Sequence, residues 1–356
     1  MTPKIAPFKG IIYNQKKIKR LAKVVSPPYD VISFSKQTAL YKANPHNIVR
    51  IDFGKIFPSD NSRNNRYTRA NKFMELWKKK GVLVQDQVPA VYLYAQDFAS
   101  NKRKYCRWGF IARFKLEDGR SVLAHERTSK HHKNDRLELI KEVKANFNPV
   151  FTLFEDSGLI RALAKNFVKS KPFIDIRFED VRHRLWRIME KSDLKKINKA
   201  FTGKHIYIAD GHHRFEVSCA YRNYCKKKNI SPIGDHDYVM MYFSALRDPG
   251  LVILPTHRLI KNAPDIDILK EKLGIYFDVS PAKGRRQMFS LMQKYQGYIF
   301  GMYLKHGKFF TLRLKKKINP ARTIPGDKPA CWKKLDVSIL HALIVEGILK
   351  VNDVDF

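Results

Sequence analysis

Cysteine is scarce in this chain. Four occur in 356 residues, Cys106, Cys219, Cys225 and Cys331, too few and too scattered for a disulfide framework. None forms a Cys-x-x-Cys pair, which excludes a zinc ribbon and a thioredoxin-type motif. Nowhere do about 18 apolar residues run together, so no segment reads as a membrane span. Met1 to Arg20 mixes basic residues, proline and short apolar pieces, without the continuous apolar stretch of a signal peptide. The expectation is a cytoplasmic protein that does not engage a membrane. Several familiar sites are missing too: Gly-x-x-x-x-Gly-Lys-Ser/Thr, Gly-x-Gly-x-x-Gly, His-Glu-x-x-His and Gly-x-Ser-x-Gly. Their absence argues against a P-loop enzyme, a Rossmann dehydrogenase, a zincin and an α/β-hydrolase.

Acidic residues are the other deficit. Asp plus Glu number 33 against 69 Lys plus Arg, a formal net charge of +36. Such an excess concentrates polyanions around the protein, whether nucleic acid, nucleotide or phosphorylated metabolite. The runs Lys78-Lys79-Lys80, Lys102-Arg103-Lys104, Lys226-Lys227-Lys228 and Lys315-Lys316-Lys317 lie far apart, however. That dispersal favours solvated surface over one dedicated nucleic-acid face.

Apolar residues make up 44% of the chain, including 23 Phe, 16 Tyr and 4 Trp, so it folds and buries a core. At roughly 100–200 residues per domain it should form about two units. We place them at 1–160, with the Pro-Pro-Tyr-Asp and His-Glu-Arg-Thr segments, and at 161–356, with the Asp-Gly-His-His-Arg turn.

Periodicity supplies the elements. Ile5 to Ile12 and Lys23 to Val31 read as extended, Pro27-Pro28 barring regular helix. Tyr67, Ala70, Phe73, Met74 and Trp77 recur at helical spacing, with Gly81 as the stop. Ala90 to Phe98 and Arg107 to Leu116 alternate as strands; a turn at Glu117-Asp118-Gly119 leads to a short strand at Ser121 to Ala124. A helix over Asp135 to Phe147, a strand over Pro149 to Phe154 and a helix over Leu159 to Val168 follow. Further strands are expected at His205 to Ala209, Tyr238 to Leu246 and Leu251 to Leu254, with a helix opening near His212. Tyr298 to Leu304 and Lys308 to Leu314 make a hairpin, and Val337 to Leu349 a core helix. Helices and strands alternate without the even rhythm of a doubly wound sheet. The fold class is an irregular α/β or α+β arrangement.

The densest polar cluster is Asp210-Gly211-His212-His213-Arg214, directly after the apolar strand. A strand leading through glycine into a helix presents backbone N–H groups and the positive helix end at one point, which suits phosphate. Gly211 permits close approach, and His213 and Arg214 add donors, arginine in a planar fork. Asp210 would hold Mg²⁺ or take a proton. The plainer alternative is an aspartate helix cap followed by two solvated histidines. A second cluster, His125-Glu126-Arg127-Thr128 with Lys133, Asp135 and Arg136, follows a strand end. There Glu126 would be a general base, and His125, Arg127 and Arg136 would grip an anion; a surface ion-pair cluster is the alternative. Third, Ser26-Pro27-Pro28-Tyr29-Asp30-Val31-Ile32 fixes Tyr29 and Asp30 in one orientation, for substrate or as a structural edge. His131-His132, His236 and His257 are scattered and suggest no metal site.

These clusters, with Asn44-Pro45 and Asn47, Asp248 to Arg258, and Leu335 to His341, resemble the domain of unknown function family 1015 over nearly the whole chain. Members of that family run on past the last helix into a Met-Pro-x-Lys-Ser-Thr segment, which is expected to be missing here because the sequence stops at Phe356. The Asp-Gly-His-His-Arg element is also similar to the Gly-x-His-Arg-type turn of the ParB/sulfiredoxin superfamily, whose free serine kinases bind nucleotide phosphates without a P-loop. The resemblance implies a ParB/sulfiredoxin-like core with additional strands and helices. Sulfiredoxin has a cysteine where His212 stands, so sulfinic-acid reduction by that route is not expected.

What the resemblance implies is nucleotide-dependent phosphoryl transfer to a small hydroxylated metabolite, serine or phosphoserine foremost, by a phosphotransferase or phosphohydrolase using Mg²⁺ with ATP or ADP. Glu126, Asp210 and His212 would be catalytic, and Gly211, His213 and Arg214 would bind the phosphates. The alternatives are a ParB-like nucleic-acid-binding module and an inactive nucleotide-binding scaffold.

Overall fold

The computed structural model describes residues 4–116, 121–124, 130–230, 234–254, 257–260 and 264–351. In chain order the strands are β1 (Ile5–Ala6), β2 (Ile11–Tyr13), β3 (Leu83–Gln85), β4 (Val91–Ser100), β5 (Arg103–Lys115), β6 (Val122–Leu123) and β7 (Val150–Phe154). There follow β8 (Ile174–Phe178), β9 (Val181–Ile188), β10 (Ile206–Asp210), β11 (Tyr238–Ala245), β12 (Phe277–Ala282), β13 (Ile299–Leu304) and β14 (Lys308–Leu314).

Nine strands form one mixed sheet in the order β6-β10-β7-β11-β5-β4-β9-β8, with β1 added on β5. β10 runs parallel to β6 and β11 parallel to β7, and the other neighbours are antiparallel. Alternation decides which residues go inside. Leu93, Phe110, Phe154, Ile206, Ile208, Met241 and Phe243 form one fully buried face. Ile160 and Leu163 of helix Leu159–Phe167 pack on it, with Ile197 of helix Lys191–Ala200 and Phe201 just beyond. The Phe110 and Phe243 rings stack 5.2 Å apart and Phe154 and Phe201 4.3 Å apart. Each such burial contributes about 1.5–3 kcal/mol.

A second core lies among helices. Met74 and Trp77 of helix Arg66–Lys79 pack with Leu139 and Val143 of helix Lys130–Val143 and with Val24 and Ile51. Asn65 and Thr68 cap the first of these helices reciprocally. Helix Lys130–Val143 also runs beside helix His212–Lys227, and Lys133 Nζ donates to Glu216 Oε2 at 2.9 Å between them.

The chain divides into two units, Met1–Val252 and Ile253–Phe356. The boundary lies there and not at 160, because β7 from before that point is hydrogen-bonded to β10 and β11 from after it. In the second unit, β12-β14-β13 form a separate sheet. Leu273, Phe277, Leu312, Ile339 and Leu343 make its core. Its last helix starts at Asp336–Ile339 and widens to π-helical spacing over Leu340–Ile348, where Leu349 N–H bonds the Ile344 carbonyl.

Most expected elements are present, and the mixed, irregular α/β class holds. Differences have local causes. Lys23 to Val31 makes no strand: two short 3₁₀ turns, Leu21–Lys23 and Tyr29–Val31, bracket it, and Pro28 at φ −55° and ψ 147° stands as the extended residue just before the second. The helix expected over Asp135 to Phe147 covers Lys130–Val143 instead, ending where Lys144 turns to φ 54°. Leu251 to Leu254 makes no strand; it spans the junction of the two units, and Ile253 is 85% exposed. The β8–β9 hairpin was missed. Its turn, Glu179-Asp180, has φ of 48° and 62°, a conformation usually announced by Asn or Gly. Glu117 to Gly119 lie outside the described residues. Among the described residues no helix is long and apolar enough to cross a membrane.

Candidate functional site

The strand β10 buries Ile206 and Ile208 and delivers Asp210 to its exposed end. The chain then turns through Gly211 at φ 91° into helix His212–Lys227. A Cβ at Gly211 would sit 2.8 Å from the Arg214 guanidinium carbon, so the arginine folds back over the turn. Its Nη2 donates to Asp210 Oδ2 and its Nη1 to the Pro149 carbonyl. His212 is buried, and Gly211, His213 and Arg214 are half-buried. The positive helix end and a guanidinium thus meet at one strand terminus, which is the expected strand–glycine–helix geometry.

Arg136 approaches from helix Lys130–Val143 and is itself buried. Its Nη1 donates to the Asp52 carbonyl at 2.7 Å and to Asp52 Oδ1 at 3.0 Å. On the other side Nε and Nη2 reach Asp135 Oδ2 at 2.8 and 2.6 Å. Asp135 also accepts from the Tyr67 hydroxyl at 2.7 Å and pairs with Arg66. Arg136 is therefore a clamp between two carboxylates, with most of its donors already engaged. Tyr29, also buried, places its ring 4.1 Å from the Arg136 guanidinium. Burial pushes the Tyr29 hydroxyl's pKa up, with Arg136 pulling the other way. Asp30 next to it points out and is exposed.

Tyr29, Asp52, Arg136, Asn148, Arg214 and Ser218 line a cavity of about 50 Å³, room for a few waters or a small polar group. Three residues expected from the sequence, Tyr29, Arg136 and Arg214, come together here from three separate segments. Asp52 and Asn148 were missed. Asn148 Nδ2 donates to Asp52 Oδ2 at 2.7 Å. Burial raises the Asp52 pKa above the ordinary carboxylate range, and Arg136, Asn148 and Arg214 only partly offset this. No spacing signal marks Asp52; it ends the one-turn helix Val49–Asp52, and its partners lie far along the chain.

Asn47 has a supporting place. Its Nδ2 donates to the Lys23 and Val25 carbonyls at 2.9 and 3.0 Å, and its Oδ1 accepts from Val49 N–H at 3.0 Å. It ties the segment entering Pro27-Pro28-Tyr29 to the helix that carries Asp52. In the second unit, Arg258 Nε donates to His341 Nε2 at 2.8 Å, joining the two C-terminal motifs. His125, Glu126 and Arg127 lie outside the described residues. Among the described residues no group of three or more His, Cys, Asp or Glu is gathered for a metal.

A family model described as "Protein of unknown function (DUF1015)" matches residues 5–338. The chain belongs to the DUF1015 family. The match spans every segment that meets at the cavity, from Tyr29 through Arg136 to Arg214. No curated protein and no solved structure matches the chain.

Proposed function

We propose that this DUF1015 chain binds a nucleotide at the Asp210–Arg214 turn and transfers a phosphoryl group to or from a small hydroxylated metabolite. The supporting observation is the turn itself: a strand end, a left-handed glycine and a positive helix end, with Arg214 folded over the glycine and also lining the cavity that holds Tyr29 and Asp52. The same strand–glycine–helix element is the basis of its likeness to the ParB/sulfiredoxin superfamily and its serine kinases.

Phosphoryl transfer relies on positioning and charge neutralisation, which these residue types supply. Arg214 would meet the phosphate oxygens, exchanging its contact with Asp210 for them. The Asp210 side chain is 58% exposed. Magnesium commonly binds through one or two carboxylates plus the phosphates themselves, so a lone carboxylate suits an ion carried in with ATP or ADP. Glu126 remains the candidate for taking the hydroxyl proton. Arg136 would act indirectly, keeping Tyr29 and Asp52 in place.

The test is calorimetric titration of the full chain with ADP and ATP in the presence of Mg²⁺, followed by incubation with serine and phosphoserine. Arg214→Ala should lower nucleotide affinity by about tenfold or more, the size of one charge-assisted contact. Glu126→Gln should leave affinity intact and lower turnover by about 10²–10⁴. Loss of affinity in the glutamine variant with unchanged binding in the alanine variant would reverse the two roles and end the proposal.

A further inference from the structure

Beside the turn, the sheet face opposite the Phe110 core carries a layered group of aromatics and one arginine. Tyr242 of β11 lies flat over Gly109 of β5: a Cβ at Gly109 would be 2.4 Å from its ring. Only glycine leaves that space. Tyr94 meets the Tyr242 ring edge-on at 5.3 Å, and Phe151 of β7 flanks it at 5.2 Å. Over this floor lies Arg107, its guanidinium carbon 4.7 Å from the Phe151 centroid and 5.9 Å from that of Tyr242. Gln96 Oε1 accepts from both Nε and Nη2 of Arg107, at 3.2 and 2.5 Å, which fixes the plane of the fork. Arg107 and Phe151 are half-buried, so part of each reaches solvent.

This group is adjacent to the phosphate turn through the sheet register. Phe151 pairs directly with Asp210 across the β7–β10 ladder, about 5 Å from backbone to backbone. Two residues earlier, just ahead of β7, the Pro149 carbonyl accepts from Arg214. The start of β7 therefore touches both the turn's arginine and the aromatic layer.

A planar cation held against an aromatic ring offers a flat face of mixed character. Nucleobases stack on arginine and aromatic planes, and such stacking is tolerant of base identity. A molecule with an anionic end at the turn and a flat ring joined to it by a short polar spacer would reach both.

We infer that the Phe151–Arg107 pair is the nucleobase platform of the site, with the base stacked there while the phosphates lie at Gly211–Arg214. This rests on the phosphate-binding reading above and assigns the residues that would separate a nucleotide from inorganic phosphate. The remaining sheet-face group, Tyr94 stacked on His183 with ring centroids 5.9 Å apart, braces the floor and does not meet the base.

Calorimetry of the full chain with ADP and with inorganic pyrophosphate, both with Mg²⁺, distinguishes the two ideas. Phe151→Leu and Arg107→Gln should each weaken ADP by about tenfold while leaving pyrophosphate affinity unchanged. Arg214→Ala should weaken both ligands. Circular dichroism and urea melts would confirm that the variants fold, and Gln96→Ala, which frees the fork without removing it, should give a smaller loss for ADP alone. If ADP binds no more tightly than pyrophosphate, or if the platform variants weaken both ligands equally, the base platform is refuted while the phosphate site stands. If neither ligand binds the wild-type chain, the phosphate reading falls and the platform with it.

Discussion

Arg136 and Asp52 stand 84 residues apart in the chain and are joined by two hydrogen bonds, at 2.7 and 3.0 Å, where both side chains are more than nine-tenths buried. The pair anchors helix Lys130–Val143 to the turn that ends at Asp52, and Tyr29 stacks on it. It makes the cavity floor a charged, hydrogen-bonded lattice.

Breaking that lattice from one side should be costly. Arg136→Met leaves Asp52 and Asp135 without their shared guanidinium, and an uncompensated buried charge costs about 3–5 kcal/mol. Urea unfolding should show a loss of that order. The double variant Asp52→Leu/Arg136→Met should recover much of it, because the Asp52 charge is then gone and Asp135 keeps Arg66 and the Tyr67 hydroxyl. A double variant as unstable as the sum of the two single ones would show that the residues act independently.

The pH dependence follows from Asp52. Its folded-state pKa is raised by burial, with Asp30 pushing the same way and Arg136, Asn148 and Arg214 opposing. A raised folded-state value means the stabilising contribution is present below the unfolded value and is lost as pH climbs through the folded one. Asp52→Asn keeps the neutral form at every pH. The wild-type advantage over this variant should therefore shrink as pH rises above about 4, near the unfolded aspartate value. Stability curves by urea at several pH values would check this, and an advantage that grows with pH would contradict it.

Gly109 should tolerate no side chain. A Cβ there would lie 2.4 Å from the Phe243 carbonyl oxygen as well as 2.4 Å from the Tyr242 ring, and the carbonyl belongs to the sheet backbone. Gly109→Ala should lose about 1–3 kcal/mol, as overpacked cores do. Thermal melts would show it, and an unchanged melting temperature would mean that Tyr242 can lie elsewhere.

The charge leads to a salt test. The runs at Lys78–Lys80, Lys102–Lys104 and Lys226–Lys228 are exposed and stand at a helix end, a hairpin tip and another helix end. Nucleotide binding through a few cations should weaken only moderately with salt. Duplex DNA held through six or more phosphates would lose orders of magnitude between about 50 and 200 mM salt. Tight, steep and sequence-selective DNA binding, measured by fluorescence anisotropy, would favour a nucleic-acid module instead.

The sequence by itself determined what depends on neighbours in the chain. The helix through Met74 and Trp77, the β4–β5 hairpin, the strand–Gly211–helix turn and the family membership all follow from local periodicity, turn chemistry or contiguous motifs. Tertiary structure alone decided the rest. The unit boundary at Val252–Ile253 depends on which strands pair across the sheet, and a single order of elements is compatible with many pairings. Arg136 reads as an anion ligand in its own segment and becomes a clamp only where Asp52 and Asp135 close on it. Asp52 and the Phe151–Arg107 layer carry no signal of their own, because a buried charge or a stacked ring acquires its chemistry from partners that folding brings from elsewhere in the chain.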